Sequence, residues 1–204
     1  MYKKPVIVFE GIEGSGKTFH LDNVAKYLKK KKIPFIKIRE PGGSVNSEKI
    51  RNLLLNNKSK FNRSSDLLLY LASRSENMSL LKKNYKKKII LIDRFIDSTI
   101  AYQHYGFGID LNLIKKINSY LLGTFRITHT ILNTVNLKNM KLRLKKRKKL
   151  NRYDKFSIKF YNKVQKGFLS LSKKNKSKYI LINSNLDINY NKDLIIKKIE
   201  KLIK

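Results

Sequence analysis

The run Gly11-Ile12-Glu13-Gly14-Ser15-Gly16-Lys17-Thr18 satisfies the spacing G-x-x-x-x-G-K-[ST]. Its glycines permit backbone angles that side chains forbid, so successive N–H groups can turn inward around a phosphate. In that arrangement Lys17 neutralises charge on the β- and γ-phosphates of a nucleotide, and the Thr18 hydroxyl is placed to hold Mg²⁺. A second group of residues reads as its counterpart. Asp93-Arg94-Phe95 is followed by Ser98, Thr99, Ala101, Tyr102 and Gln103. An arginine beside a strand-end aspartate, facing the first loop, suits a second phosphate lying opposite the first. Two facing phosphates point to a kinase whose acceptor is itself a phosphate. A GTPase reading lacks both an N-K-x-D base-recognition run and a D-x-x-G after the third strand.

These groups need elements to position them. Five β-branched runs, Pro5 to Glu10, Pro34 to Arg39, Lys88 to Asp93, Ile127 to Asn133 and Lys178 to Asn183, read as strands buried on both faces. Between them lie helical patterns: Leu21, Val24, Ala25 and Leu28; then Leu113, Ile114, Ile117 and Leu121 after a candidate N-cap at Asp110; and finally Ile195, Ile196, Ile199, Leu202 and Ile203. Alternating strands and helices imply right-handed crossovers and a mainly parallel sheet, with ligands at the carboxyl ends of the strands. Both chemical runs fall at such ends, and the first opens a helix whose N-terminus adds a positive dipole end. Two segments look irregular, Glu40 to Asn46 and the basic run Arg143 to Asp154; the position of the second after the fourth strand predicts a mobile lid.

The 204 residues show no compositional break, so we expect one domain over 1–204. No apolar run approaches the roughly 18–20 residues of a membrane span, and no signal sequence is read at the N-terminus, so a cytoplasmic protein with no membrane partner is expected. There is no Cys, and His20, His104 and His129 are too scattered for a metal cluster. The net charge of +33 is the usual footprint of a nucleic-acid binder. Here lysine dominates and is spread over the whole chain without a helix-turn-helix, zinc-finger or aromatic RNP signature, which favours solvated lysine over a specific nucleic-acid site. A basic nucleic-acid-binding ATPase is the remote alternative.

Three blocks together resemble the thymidylate kinase family over nearly the whole chain: Phe9 to Thr18, Arg39-Glu40-Pro41-Gly42-Gly43, and Asp93-Arg94-Phe95 with Ser98-Thr99 and Ala101-Tyr102-Gln103. The resemblance implies an α/β P-loop NTPase fold of three α/β/α layers, a five-stranded parallel sheet with a short lid, a homodimer, and transfer from Mg-ATP to dTMP. Another deoxynucleoside or nucleoside-monophosphate kinase is the alternative. By the same resemblance Gly11, Ile12, Glu13, Gly14, Ser15, Gly16, Lys17 and Thr18 bind ATP. Tyr70 stands where a Phe usually stacks on thymine, and Arg74, one helical turn on, where an Arg bonds the O4 of the base. Thr99 reaches the N3 edge, Tyr102 crowds C2′ of the sugar, and Gln103 completes the wall. Arg39 and Arg94 hold the dTMP phosphate, while Glu13 contacts the 3′-hydroxyl region or orients Mg²⁺ through water. Arg143 lies against adenine, and Arg147 and Arg152 face the phosphates. Two stretches depart from the family pattern: Asn133-Thr134-Val135-Asn136-Leu137-Lys138 replaces an Asp-Val-x-Pro-Glu-like segment, and Asn151-Arg152-Tyr153-Asp154 replaces Asp-Arg-x-Glu.

Diffuse lysine contacts act through counterion release. Any binding to duplex DNA should therefore be sequence-independent and fall by on the order of 10³ or more between 50 and 200 mM salt. Fluorescence anisotropy across a salt series checks this, and sequence-selective binding at physiological salt refutes it.

Overall fold

The computed structural model describes residues 3–204. Five parallel strands, β1 (Val6–Glu10), β2 (Phe35–Arg39), β3 (Ile89–Asp93), β4 (His129–Thr134) and β5 (Tyr179–Asn183), form one sheet in the order β2-β3-β1-β4-β5. Helices α1 (Lys17–Lys30), α2 (Val45–Leu55), α3 (Arg63–Asn84), α4 (Ile96–Thr99), α5 (Leu111–Leu122), α6 (Leu137–Lys145), α7 (Ile158–Lys174) and α8 (Ile188–Ile203) complete the chain order.

Alternation along β1 divides the core between two faces. Ile7 and Phe9 pack with Leu21, Val24 and Leu28 of α1 and Ile195, Ile199 and Ile203 of α8. Val6 and Val8 pack on the other face with Met78 and Leu81 of α3 and with Phe95 and Phe125. β1 is buried throughout, as its unbroken apolar run predicts. The outer strands differ from expectation: β2 and β5 are only half-buried, with Lys37 and Leu181 exposed, because each has a neighbour on one side alone. Apolar runs of equal strength cannot tell an edge from a centre.

Side chains cap most of the helix starts. Ser44, Asn62, Asp110, Asn136, Ser157 and Asp187 each accept from an N–H of the first turn of α2, α3, α5, α6, α7 and α8. α2 thus begins at Val45, inside the segment expected to be irregular. α1 is different: its N-cap is Gly16, and no side chain caps it.

α4 runs on into a π-helical stretch, Ile100–Gly106, which carries Tyr102 and Gln103. α7 packs against this stretch. Gly167 of α7 sits so near Tyr105 that a Cβ there would lie 2.7 Å from its ring, and Tyr105 is anchored by a 3.0 Å bond from its hydroxyl to Ser170. No helix among the described residues is long and apolar enough to cross a membrane.

Alanine at Gly167 gains about 1 kcal/mol of helix propensity but must displace a tethered ring. We expect Gly167→Ala to destabilise by about 1–3 kcal/mol, read from the urea midpoint, with an unchanged or higher midpoint refuting this packing.

Candidate active site

The register Phe9↔Asp93 between β1 and β3 brings both strand ends, and the loops that leave them, to one edge of the sheet. A cleft of about 280 Å³ opens there, lined by Glu13, Lys17, Thr18, Asp93, Arg94 and Tyr102 among others. On the loop side Gly11 has φ 141°, and a Cβ there would lie 2.3 Å from the Asn133 carbonyl oxygen, so only glycine lets the chain turn this close to β4. Thr18 Oγ1 donates to Asp93 Oδ2 at 2.6 Å, whereas Asp93 Oδ1 and the buried Ser15 hydroxyl have no partner among the described residues. A carboxylate with a free oxygen beside a threonine hydroxyl is a donor set for Mg²⁺. Burial, then the nearby Arg94, push the Lys17 amine down to about 8. Anionic phosphates would reverse that cost.

Arg94 occupies the left-handed region with φ 67°, unusual for a residue with a Cβ. Its Nη1 donates to the Gly11 carbonyl at 3.0 Å and to Ser98 Oγ at 3.1 Å, and its Nη2 to Glu13 Oε1 at 2.7 Å. The Tyr102 hydroxyl donates to the other oxygen of Glu13. Burial alone would raise the Glu13 carboxyl, but Arg94 and then Lys17 hold it below its ordinary range. Arg39 also reaches the cleft and forks onto Glu48, with Nη2 3.0 Å from Oε2. Arg51 of α2 lines it as well, donating to the Pro41 carbonyl at 2.5 Å. Burial, then Arg39, disfavour the charge on Arg51, a strain that a bound anion would relieve.

Tyr70 stands edge-on to Tyr153, ring centres 5.9 Å apart. Arg74 is fully buried and fastened on all sides: Nε to Glu40 at 2.8 Å, Nη1 to Asn118 at 2.5 Å, and Nη2 to the Thr99 hydroxyl at 3.0 Å. Gln103 is also buried, yet neither atom of its amide has a partner among the described residues. Buried amides are seldom left unpaired, so this one marks a place for polar ligand atoms.

The lid run divides differently from expectation. Arg143 to Lys145 belong to α6, and Arg152–Lys155 form a 3₁₀ turn. Only the stretch between them is irregular. Arg143 donates to the carbonyls of Gly14 at 2.9 Å and Ser184 at 2.6 Å, outside the cleft lining. Burial, then Arg143, push the imidazole of the neighbouring His20 down to about 4. Arg147 lines the cleft and pairs with Asp154 at 2.5 Å. Arg152 donates to Asp66 of α3 at 2.6 Å and lies outside the cleft lining. The departure at Asn151-Arg152-Tyr153-Asp154 also has a local role. Asn151 and Asp154 form a capping box on the 3₁₀ turn, which an aspartate is short enough to close.

Sequence reasoning left out Arg51, Asp66 and Glu10, and read Asp93 as a strand end without assigning it to the metal. No spacing shows that Asp93 meets Thr18, since the contact joins residues 75 apart and exists only once β1 pairs with β3. For Arg51 no spacing signal exists.

Known proteins resemble this chain throughout its length. A family model described as thymidylate kinase matches residues 9–195. Thymidylate kinase of Kosmotoga olearia is 31% identical over 194 residues, covering 94% of this chain and 93% of that protein. The enzyme of Wolbachia pipientis from Culex pipiens is 37% identical over 202 residues, covering 94% and 96%. A crystal structure of thymidylate kinase from Ehrlichia chaffeensis superposes with a TM-score of 0.78 at 33% identity, covering 97% of this chain and 99% of that one.

The two ion pairs of the acceptor side differ in environment, which makes their energies separable. Arg74 is 1% exposed and Glu40 4%, so removing the arginine strands a buried carboxylate. Arg74→Met is expected to cost about 3–5 kcal/mol in urea unfolding. Arg39 is 54% exposed, and Arg39→Ala should cost no more than about 1 kcal/mol. Equal losses would contradict this picture of the cleft.

Proposed function

The chain belongs to the thymidylate kinase family and is a phosphotransferase acting on dTMP; on that premise we propose that Mg-ATP is the phosphoryl donor, that the products are dTDP and ADP, and that the cleft residues divide as follows. One observation carries the reading. Lys17 and Thr18 share a single cleft with Arg39, Arg51 and Arg94, which supports a reading with one phosphate held by each group. The same family resemblance supports a cytoplasmic homodimer.

The acceptor oxygen belongs to a phosphate mostly dianionic at neutral pH, its second pKa being about 6, so no strong general base is needed. Alignment and charge neutralisation carry the rate. Mg²⁺, when bound, would supply positive charge against the donor phosphates. The free Asp93 oxygen and the Thr18 hydroxyl would hold it, and the unpartnered Ser15 hydroxyl suits the loop to a phosphate. Lys17 draws charge from the phosphoryl group being transferred. Arg94 and Arg39, joined by Arg51, hold the dTMP phosphate. Tyr70 stacks on the base while Arg74 and Gln103 offer donors to its polar edge, and Tyr102, held by Glu13, occupies the space a ribose 2′-hydroxyl would need. Arg143 is assigned to the adenine side, where it braces Gly14. Among the lid arginines, Arg147 lines the cleft and is assigned to the transferring group, and Arg152 to fixing the lid turn on α3.

The test is a panel of nucleoside monophosphates with Mg-ATP, scored for diphosphate product. We expect dTMP to be preferred over dCMP, whose different base edge leaves the Gln103 amide unpaired, and over UMP, whose 2′-hydroxyl meets Tyr102. Lys17→Ala should abolish transfer in a folded protein. Arg147→Ala should lower kcat by on the order of 10³ with little change in the KM for dTMP, the mark of a contact made in the transition state. Faster turnover of purine monophosphates would defeat the pocket assignment, and an unchanged kcat in Arg147→Ala would return that side chain to the solvated surface.

A further inference from the structure

Glu10 is the last residue of β1, wholly buried, and has no role in the chemistry described above. Its carboxylate is nevertheless fully engaged, and every partner lies in the turn that follows Arg94. Oε1 accepts from the backbone N–H of Phe95 at 2.8 Å and of Ser98 at 3.2 Å, and Oε2 accepts from the Ser98 hydroxyl at 2.5 Å. The same Ser98 oxygen accepts from Arg94 Nη1 at 3.1 Å. The path from carboxylate to guanidinium is therefore two hydrogen bonds long.

The cost of this arrangement argues that it has a use. A carboxylate without exposure, beside a second, partly buried carboxyl at Asp97, is expensive to keep charged. Burial, then Asp97, push the Glu10 carboxyl up to about 7. An apolar residue at the end of β1 would extend the core at no such penalty. What the charge accomplishes is local to Arg94. That residue holds a left-handed backbone at φ 67°, a conformation that persists only where the surroundings determine it. On one side its N–H is fixed to the Phe9 carbonyl at 3.0 Å, and on the other Glu10 clamps the N–H of Phe95. Residues 9 and 10 of one strand thus grip both flanks of the strained position.

We propose that Glu10 is a positioning residue for the acceptor phosphate, its carboxylate fastening the Phe95 to Ser98 turn so that Arg94 keeps the backbone and side-chain direction that carry its guanidinium into the cleft. This rests on the assignment of Arg94 to the dTMP phosphate. It also links the two substrate sites, because the strand that bears Glu10 continues into the phosphate loop of the donor.

Steady-state kinetics on Glu10→Gln test it. Glutamine keeps the volume and an oxygen for the two N–H groups, but puts an N–H donor where Oε2 accepts from the Ser98 hydroxyl, so the bridge to Arg94 is broken. We expect the KM for dTMP to rise about ten-fold or more, a size typical of a misaimed binding group, while the KM for ATP stays within about two-fold. Ser98→Ala removes only the hydroxyl bridge and should shift the KM for dTMP in the same direction by less, which keeps the question answerable if Glu10→Gln fails to fold. In a Glu10→Gln/Arg94→Lys double variant, dTMP binding measured by calorimetry should be no weaker than in Arg94→Lys alone. Equal rises in both KM values, an unchanged KM for dTMP in Glu10→Gln and Ser98→Ala alike, or additive losses in the double variant would each overturn the positioning role. A wild-type chain that forms no dTDP is a distinct result, which overturns the underlying assignment and this proposal with it.

Discussion

The parallel pairing of β1 with β3 is the constraint on which the cleft depends. It makes the strand that ends in the phosphate loop the direct neighbour of the strand that ends in Asp93 and Arg94. Two like-charged phosphates repel, so a catalyst must fix their separation by something stiffer than side chains. Here the spacer is the distance between adjacent hydrogen-bonded strands, roughly 4.7–4.9 Å. A slip of one residue in that register would send Phe9 and Ile92 to the wrong faces and part Thr18 from Asp93, so packing and chemistry select the same alignment.

Charge is distributed in a similar economy. Although the chain has only 14 acidic residues, several sit against the arginines of the cleft: Glu13 on Arg94, Glu40 on Arg74, Glu48 on Arg39 and Asp154 on Arg147. Such pairs contribute little net stability once desolvation is counted. Their effect is to hold guanidinium planes at fixed angles before substrate arrives, so that less reorganisation is left for the reaction itself. Glu40 illustrates the point. It grips Arg74, whose Nη2 in turn donates to the Thr99 hydroxyl at the edge of the pocket.

What could be read from the chain alone was whatever is local. Lys17 and Thr18 declare themselves because their chemistry lies inside an eight-residue run, and Asp110 because a cap needs only the three residues after it. The five strands and their parallel order followed from apolar runs alternating with helical patterns. Distant partners were not legible. Arg152 looks like any lid arginine until the fold brings Asp66 beside it, and Arg51 is an ordinary helix residue until α2 is laid against the cleft. The π-helical stretch at Ile100–Gly106, which carries Tyr102 and Gln103, leaves no periodic trace either, since it breaks the regular helical spacing. Edge exposure of β2 and β5 belongs to the same class, being a property of strand order and not of strand composition.

The bare start of α1 has a further meaning. Six other helices carry a side chain over their first turn, and this one ends on Gly16 with nothing over it. Under the proposed function the cap is a phosphate of the bound nucleotide, so part of the cohesion of α1 would be held by a molecule that comes and goes. Amide protons at the beginning of that helix should exchange with solvent most readily in the empty protein and slow when the loop is filled. A ligand at a hundred times its Kd adds about 2.7 kcal/mol to the folded state. In the helix that begins at Lys17, cellular nucleotide concentration therefore becomes a term in the folding equilibrium.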